Sequence, residues 1–116
     1  MESLKYIVDI DGTICNLNIT PDGKNEYEYA KPYEDRIAHF NKLFEEGHEV
    51  IYWTARGMSN GNLEAKKELT YNQLRSWGVK YTDVRFEKPH YDIWIDDKAI
   101  NVDAYFEQIE LDKILK

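Results

Sequence analysis

The sequence predicts an α/β fold in which a mostly parallel sheet is covered by helices on both faces. Short apolar segments alternate along the chain with longer segments that have the periodicity of amphipathic helices. The apolar segments are nearly continuous, which is typical of strands that are buried on both faces. Strands that alternate with helices are joined by right-handed crossovers, so we expect neighbouring strands to run parallel.

The first predicted strand covers residues 4–10, and a small flap follows it over residues 14–30. The middle of the flap has the sequence TPDG at residues 20–23. Proline presets φ in a turn and glycine accepts positive φ, so this sequence predicts the turn of a small hairpin.

The next segment predicts a helix and the second strand. The helix begins at Pro32, because proline suits the first turn of a helix. It ends before Gly47, which suits a left-handed cap. Residues 49–53, with the sequence EVIYW, form the second predicted strand.

The remaining elements complete one predicted domain, which covers residues 1–116. Asn60 and Asn62, in a polar loop, are candidate caps for the helix that follows. The elements after this loop are a helix over residues 63–77, strands over residues 79–86 and 92–95, and a closing helix between residues 102 and 115.

Composition limits the kinds of partner that we expect. The net charge of −7 argues against wide contact with nucleic acid, which needs clustered lysine and arginine. Cys15 is the single cysteine, so we expect no internal disulfide and a reducing, cytoplasmic setting. We find no signal-peptide pattern and no apolar run long enough to cross a membrane, so no membrane partner is expected.

Polar residues follow each of the four predicted strands. The carboxyl ends of parallel strands meet at one edge of the sheet, where ligands bind in open α/β folds, so we expect these residues to converge. They are Asp9 and Asp11 at the end of the first strand, Thr54 at the end of the second, Lys88 in the loop after the third, and Asp96 and Asp97 at the end of the fourth.

Such a cluster suits a divalent cation and phosphoryl transfer. Carboxylates that share a site repel one another unless a cation or proton lies between them, and oxygen ligands without histidine or thiolate favour Mg²⁺. Asp9 and Asp96 are candidate carboxylate ligands, and Asp11 could contribute its backbone carbonyl. An aspartate nucleophile, an acid–base group, a cation, an ammonium and a hydroxyl are the parts that phosphoryl transfer needs. Asp9, Asp11, Mg²⁺, Lys88 and Thr54 can fill these roles.

Gly12, Thr13 and Arg56 are predicted substrate-binding residues. Gly12 would let the backbone approach a phosphate, and Thr13 could add a hydrogen bond. Arginine suits bidentate recognition of phosphate, with a salt bridge to a carboxylate as the alternative for Arg56. His90 lies two residues beyond Lys88, and a structural or exposed position is favoured over substrate contact.

The motifs resemble those of the haloacid dehalogenase-like (HAD) phosphohydrolase superfamily, in the family's order. They are DIDGT at residues 9–13, Thr54 in VIYWTARG, Lys88 in EKP, and Asp96-Asp97 in IWIDDKAI. The resemblance covers residues 4 to about 103 and implies a three-layer, Rossmann-like fold. The resemblance implies that Asp9 is the nucleophile and a metal ligand, and that Asp11 is the general acid/base with its carbonyl on the metal. It implies that Thr54 and Lys88 bind the phosphoryl group. It also implies that Asp96 is a metal ligand and that Asp97 supports the metal or Lys88.

The gaps between the motifs hold only a flap and a helix, so the chain resembles the members without a cap domain. The sequences TARGMSNGN, LRSWGVKYTDVRFEKP and WIDDKAINVDAYF are similar to small bacterial capsule-polysaccharide biosynthesis phosphatases. This similarity implies a Mg²⁺-dependent phosphatase that acts on a small sugar phosphate for surface polysaccharide. The resemblance to members without a cap implies either a macromolecular substrate or a homo-oligomer in which a neighbour closes the site, and the acidic charge favours the homo-oligomer.

Two other functions remain open from the sequence. One is a nucleotidase or a polynucleotide-end phosphatase, although the acidic charge argues against a polynucleotide. The other is a non-catalytic phosphoacceptor or binding module, such as a receiver-like signalling domain. Receivers carry the phosphorylated aspartate on a middle strand, and VIYWTAR has no aspartate there.

Overall fold

The sheet consists of three parallel strands that lie side by side in chain order. The computed structural model describes residues 2–58 and 62–115. The strands are Lys5–Val8 (β1), Glu49–Trp53 (β2) and Asp83–Arg85 (β3), and β2 lies in the centre. Val8 lies opposite Tyr52, which lies opposite Val84, so the three strands end at similar levels, although β3 begins only opposite Ile51.

Three α-helices follow the strands, and their positions agree with the predicted pattern. They are Glu34–Glu45 (α1), Leu63–Ser76 (α2) and Val102–Leu115 (α3). Gly47, with φ of 97°, follows α1 as the predicted left-handed residue. No helix in the described ranges is both long and apolar enough to cross a membrane.

The predicted caps of α2 have different outcomes. Asn62 is the N-cap residue of α2, as predicted, and its carbonyl accepts from the amide of Lys66 at 3.2 Å, but its side chain makes no capping hydrogen bond. Asn60, the other candidate cap, lies outside the described residues.

The predicted flap is a short hairpin closed by a single β-bridge between Ile19 and Asn25. Gly23 has φ of 86° in its turn, as the sequence predicts. The flap then continues into a 3₁₀ turn over Tyr27–Tyr29.

The buried core lies on one face of the sheet. Val8, Tyr52 and Val84, which share this face, are buried together with residues of two helices, namely Ile37, Phe40 and Leu74. Tyr105 and Phe106 of α3 pack against the same core. The sequence predicted helices on both faces of the sheet, whereas the described helices pack on the same face. Strands in chain order that are joined by crossovers of one hand place their helices on one face.

The predicted fourth strand over residues 92–95 is wrong, because residues 91–101 contain no helix or strand. Ile93 and Ile95 are 79% and 92% exposed. Trp94 contacts Trp53 edge to face, with the ring centroids 6.0 Å apart. The apolar pattern indicates a preference for burial, but a strand also needs a backbone partner. In the described chain β1 therefore remains an edge strand.

Candidate active site

A tight turn after β1 presents the first two predicted site residues. Ile10 is fully buried, and the aspartates on either side of it line the cavity at the ends of the strands. The amide of Ile14 donates to the carbonyl of Ile10 at 2.9 Å. Gly12, with φ of 85°, lets the chain reverse within this turn. The alternation of the strand thus directs Asp9 and Asp11 to the same side.

Asp9 lies close to a lysine and in a partly dehydrated position. Lys88 Nζ is 3.5 Å from Asp9 Oδ1, and Thr13 Oγ1 donates a long hydrogen bond of 3.4 Å to Asp9 Oδ2. Burial raises the pKa of Asp9 above its ordinary value, the charge of Lys88 offsets part of this increase, and the charge of Asp11 adds to it. A cation near this carboxylate would therefore favour its ionised form.

Asp11 forms a bidentate ion pair with Arg56. Arg56 Nε and Nη2 donate to the two carboxylate oxygens at 2.9 and 2.8 Å. The Arg56 side chain is completely buried, and burial alone would lower its pKa. The hydrogen bonds and charge of Asp11 reverse this effect, so the pKa of Arg56 lies above its ordinary value. Arg56 thus makes the salt bridge that the sequence left as the alternative to substrate binding.

The end of β2 connects Thr54 with the loop that carries Lys88. The amide of Thr54 donates to the carbonyl of Arg85 at 2.9 Å, and the amide of Lys88 donates to the carbonyl of Thr54 at 3.1 Å. Glu87, which lies between Arg85 and Lys88 in the chain, has φ of 66°. This left-handed conformation costs a non-glycine residue about 1 kcal/mol or more. This turn directs Lys88 back towards Asp9.

These residues lie in one cavity of about 820 Å³, a volume that suits a small organic ligand. Asp9, Asp11, Thr54 and Lys88 line it, and Arg56 contributes to the lining. The flap contributes Tyr27, and the loop after β3 contributes His90 and Tyr91.

Gly12 and Thr13 serve the turn in this structure. The amide of Gly12 donates to the carbonyl of Cys15 at 2.8 Å, and Thr13 contacts Asp9. Cys15 is buried beside Asp11, and burial, with the charge of Asp11, raises its pKa to about 12. The Cys15 thiol is therefore protonated at neutral pH and unreactive as a nucleophile.

Asp96 and Asp97 are exposed and are not among the residues that line the cavity. The amide of Lys98 donates to Asp96 Oδ1 at 2.8 Å. This hydrogen bond is the main cause of a lowered pKa of Asp96, and a hydrogen bond from Asp97 adds to it. Among residues 2–58 and 62–115, no three acidic, histidine or cysteine side chains come close enough to hold a metal ion.

The predicted magnesium ligands are therefore only partly brought together. Mg²⁺ in proteins commonly takes one or two carboxylates, with water and substrate phosphate in its other positions. Asp9, in the cavity lining, is suited to be one such carboxylate. Asp11 has both oxygens bonded to Arg56, and Asp96 lies outside the cavity.

The sequence reasoning did not identify Gln73 as a site residue. Gln73 Oε1 accepts from Arg56 Nη1 at 2.6 Å, and Thr70 Oγ1 accepts from the same nitrogen at 3.1 Å. A signal was present, because Thr70 and Gln73 are three residues apart and so share a face of α2 with the buried Leu74.

Comparison with known proteins supports the fold. No family model matches the chain, and no curated protein matches it either. The structure is similar to the crystal structure of an MCSG target from Vibrio cholerae, with a TM-score of 0.67 and 27% sequence identity. The match covers 92% of this chain and 94% of that chain. Over residues 2–58 and 62–115 the chain therefore has an α/β fold of three parallel strands and three α-helices, with no cap domain evident there.

Proposed function

We propose that this protein is a HAD-type phosphomonoester hydrolase that works through an aspartyl-phosphate on Asp9. The observation that carries the proposal is the presence of Asp9, Asp11, Thr54 and Lys88 around one cavity. These residues come from three separate segments of the chain, each at the end of a strand. We also propose that the chain belongs to the HAD superfamily and that its α/β fold is the fold of that superfamily.

In the first step, a carboxylate oxygen of Asp9 forms a bond to phosphorus as the bond from phosphorus to the ester oxygen breaks. For this step Asp11 carries a proton on one oxygen, which turns away from Arg56 while the other keeps its Arg56 bond, and it gives that proton to the leaving alcohol. In the second step, water gives a proton to Asp11 and attacks the same phosphorus. The bond from Asp9 to phosphorus then breaks, which releases inorganic phosphate and restores the carboxylate.

Lys88 and Thr54 would bind the transferred group. Lys88 Nζ is 3.5 Å from Asp9 Oδ1, so its positive charge is close to where the phosphoryl oxygens would lie. Thr54 lines the same cavity and supplies a hydroxyl. Both groups stabilise negative charge that spreads over the oxygens in the transition state.

Mg²⁺ is part of the proposal, with Asp9 as the residue that holds it. The ion would supply positive charge that neutralises the phosphoryl oxygens and favours the ionised form of Asp9. The raised pKa of Asp9, which burial causes, fits a site that is completed by an added cation.

The proposed substrate is a small sugar phosphate used in surface-polysaccharide biosynthesis, and the proposed setting is the cytoplasm. The cavity of about 820 Å³ suits a small molecule, and the net charge of −7 disfavours a polynucleotide. A homo-oligomer, with a neighbour over the site, is also part of the proposal. A nucleotidase is the second candidate, because Tyr27 and Tyr91 in the cavity lining offer rings on which a base could stack.

The direct test is hydrolysis of p-nitrophenyl phosphate by the wild type and by Asp9→Asn, with Mg²⁺ and with EDTA. We expect Asp9→Asn to lower kcat at least about a thousandfold, because the nucleophile is lost. Since burial disfavours the Asp9 charge, the variant should stay folded at pH 7, as circular dichroism can show. Equal activity of the two proteins would contradict the proposal. A panel of sugar phosphates, nucleotides and end-phosphorylated oligonucleotides then separates the candidate substrates.

A further inference from the structure

Arg56 connects the acid–base aspartate to α2. Its guanidinium donates two hydrogen bonds to Asp11 and, through Nη1, one each to Thr70 and Gln73. Thr70 Oγ1 in turn donates to the carbonyl of Lys66 at 2.7 Å. These bonds satisfy four of the five guanidinium N–H groups, so Arg56 is held by Asp11 and by two side chains of α2 at the same time.

Gln73 connects the same arginine to the flap. Its Oε1 accepts from Arg56 Nη1 at 2.6 Å, and its Nε2 donates to the backbone carbonyl of Tyr27 at 2.7 Å. The orientation of the amide is chemically defined, because arginine can only donate and a carbonyl can only accept. Both ends of the Gln73 amide are thus used for one bridge.

The flap also contacts Arg56 directly. The Tyr27 ring lies 4.8 Å from the carbon at the centre of the Arg56 guanidinium, within cation–π distance. The amide of Ala30 donates to the same Tyr27 carbonyl that accepts from Gln73, at 3.0 Å. Tyr27 therefore joins the 3₁₀ turn of the flap to the buried arginine through both its ring and its carbonyl.

We propose that Gln73 is a positioning residue that couples the position of the flap to the orientation of the Asp11 carboxylate, through Arg56. When the flap is seated, Gln73 and Tyr27 hold the guanidinium, and the guanidinium holds Asp11. When the flap lifts, Arg56 loses the Tyr27 ring and Gln73 loses its acceptor, so Asp11 is less well aligned. Proton transfer to the leaving group is then efficient only when the cavity is covered. The kinetic part of this inference rests on the proposed hydrolase function.

Gln73→Glu tests the coupling selectively. The carboxylate still accepts from Arg56 but cannot donate to the Tyr27 carbonyl, so it repels that carbonyl and releases the flap. We expect faster amide hydrogen exchange in residues 16–30, measured by mass spectrometry, with the core strands unchanged. We also expect kcat to fall about tenfold more for an alkyl phosphate than for p-nitrophenyl phosphate, because only the poor leaving group needs the acid.

Gln108→Glu is the matched control, because Gln108 is exposed on α3, and among the described residues its side chain donates to its helix neighbour Asp112 at 3.0 Å. It should change neither measurement. If Gln73→Glu fails to fold, Gln73→Met, which keeps the volume and removes both hydrogen bonds, replaces it with the same expected results.

The outcomes separate the coupling from the hydrolase proposal. Unchanged exchange in the flap overturns the bridge, whatever the activity. Faster exchange with equal loss for both leaving groups overturns the link to Asp11. If the wild type hydrolyses no phosphomonoester, the hydrolase proposal fails. In that case, faster flap exchange in Gln73→Glu together with faster exchange at residues 9–12 supports the structural coupling, and faster exchange in the flap alone overturns it.

Discussion

The cavity at the strand ends and the segment over residues 91–101 differ in how their side chains are held. Asp9 and Thr54 each follow a strand within the sheet. Lys88 is held in place by the hydrogen bond that its backbone amide donates to the Thr54 carbonyl. Asp96 follows an apolar run that has no strand partner, and it is exposed. The comparison shows that a motif residue is placed by the backbone pairing of the element before it, more than by its own chemistry.

Asp11→Asn should give the largest effect among the tests of this comparison. Loss of the general acid should lower kcat about a hundredfold or more for an alkyl phosphate and much less for p-nitrophenyl phosphate. The buried Arg56 also loses its charged partner, so the free energy of unfolding should fall by about 3 kcal/mol. Kinetics are therefore measured at 15 °C or below, after circular dichroism has shown the fold.

Asp112→Asn is the control for this variant, because Asp112 lies on α3 and its recorded hydrogen bond is to the exposed Gln108. Equal loss of activity with both leaving groups in Asp11→Asn would argue against acid catalysis by Asp11.

Asp96→Asn tests whether the difference between the two regions persists in the working enzyme. The outer edge of β1 has no strand partner in the described chain, and pairing of residues 92–95 there would bring Asp96 to the same sheet edge as Asp9. We expect the Mg²⁺ concentration for half-maximal activity to stay unchanged, because Asp96 is exposed and lies outside the cavity lining. A rise of about tenfold or more would instead mean that Asp96 reaches the metal in the working enzyme.

Tyr52→Phe should have a smaller effect than Asp11→Asn, on stability alone. The Tyr52 hydroxyl is buried against the core and has no hydrogen-bond partner within the described chain. Its removal should raise the free energy of unfolding by about 1 kcal/mol, because an unsatisfied buried donor is costly. Urea unfolding measures this change, and a decrease in stability would indicate that the hydroxyl has a partner in solution.

The smallest expected change in stability concerns the attachment of α3. His39 Nε2 lies 2.7 Å from the Tyr105 hydroxyl, and burial, followed by the charges of Lys113 and Lys42, lowers the pKa of His39. Glu46 acts weakly in the opposite direction. The folded state therefore binds a proton less readily than the unfolded state, so stability falls as the pH drops below the ordinary His pKa of 6.5.

Urea unfolding at pH 7.5, 6.5 and 5.5 measures this dependence. His39→Gln should show a weaker decrease over the same range, since its side chain does not titrate. Parallel curves for the two proteins would exclude His39 as the cause.

Much of the fold could be predicted because its signals are local. Gly47 and the TPDG turn mark an end and a reversal through their own φ preferences, and the structure has them at those places. The predicted helix start at Pro32 is two residues early, because α1 begins at Glu34 and Pro32 instead pairs with Cys15 in an isolated bridge. The residues after the first three strands could be predicted to meet, because parallel strands end at one edge. Whether residues 92–95 form a fourth strand could not be predicted in this way. DIWI has the apolar pattern of a strand, but pairing depends on a backbone edge far away in the chain.

The hydrogen-bond partners of Arg56 also could not be predicted from the sequence. An arginine near a phosphate site can bind substrate or a carboxylate, and the choice depends on which acceptors lie within reach of its five donors. Asp11, Thr70 and Gln73 occupy four of them, and these residues are spread over 63 positions of sequence from 11 to 73. The spacing of Thr70 and Gln73 places them on one face of α2, but that this face meets Asp11 and Arg56 depends on how the crossover packs α2, which no local pattern encodes.

The outer edge of β1, which has no strand partner within residues 2–58 and 62–115, affects how the protein behaves at high concentration. An open row of backbone donors and acceptors, with Ile7 55% exposed, is a template for adding an extended segment of another molecule. A net charge of −7 opposes such encounters through long-range repulsion, which salt screens over about 10 Å at 0.1 M. Colloidal stability of this protein therefore depends on ionic strength, and concentrated samples keep best in dilute buffer.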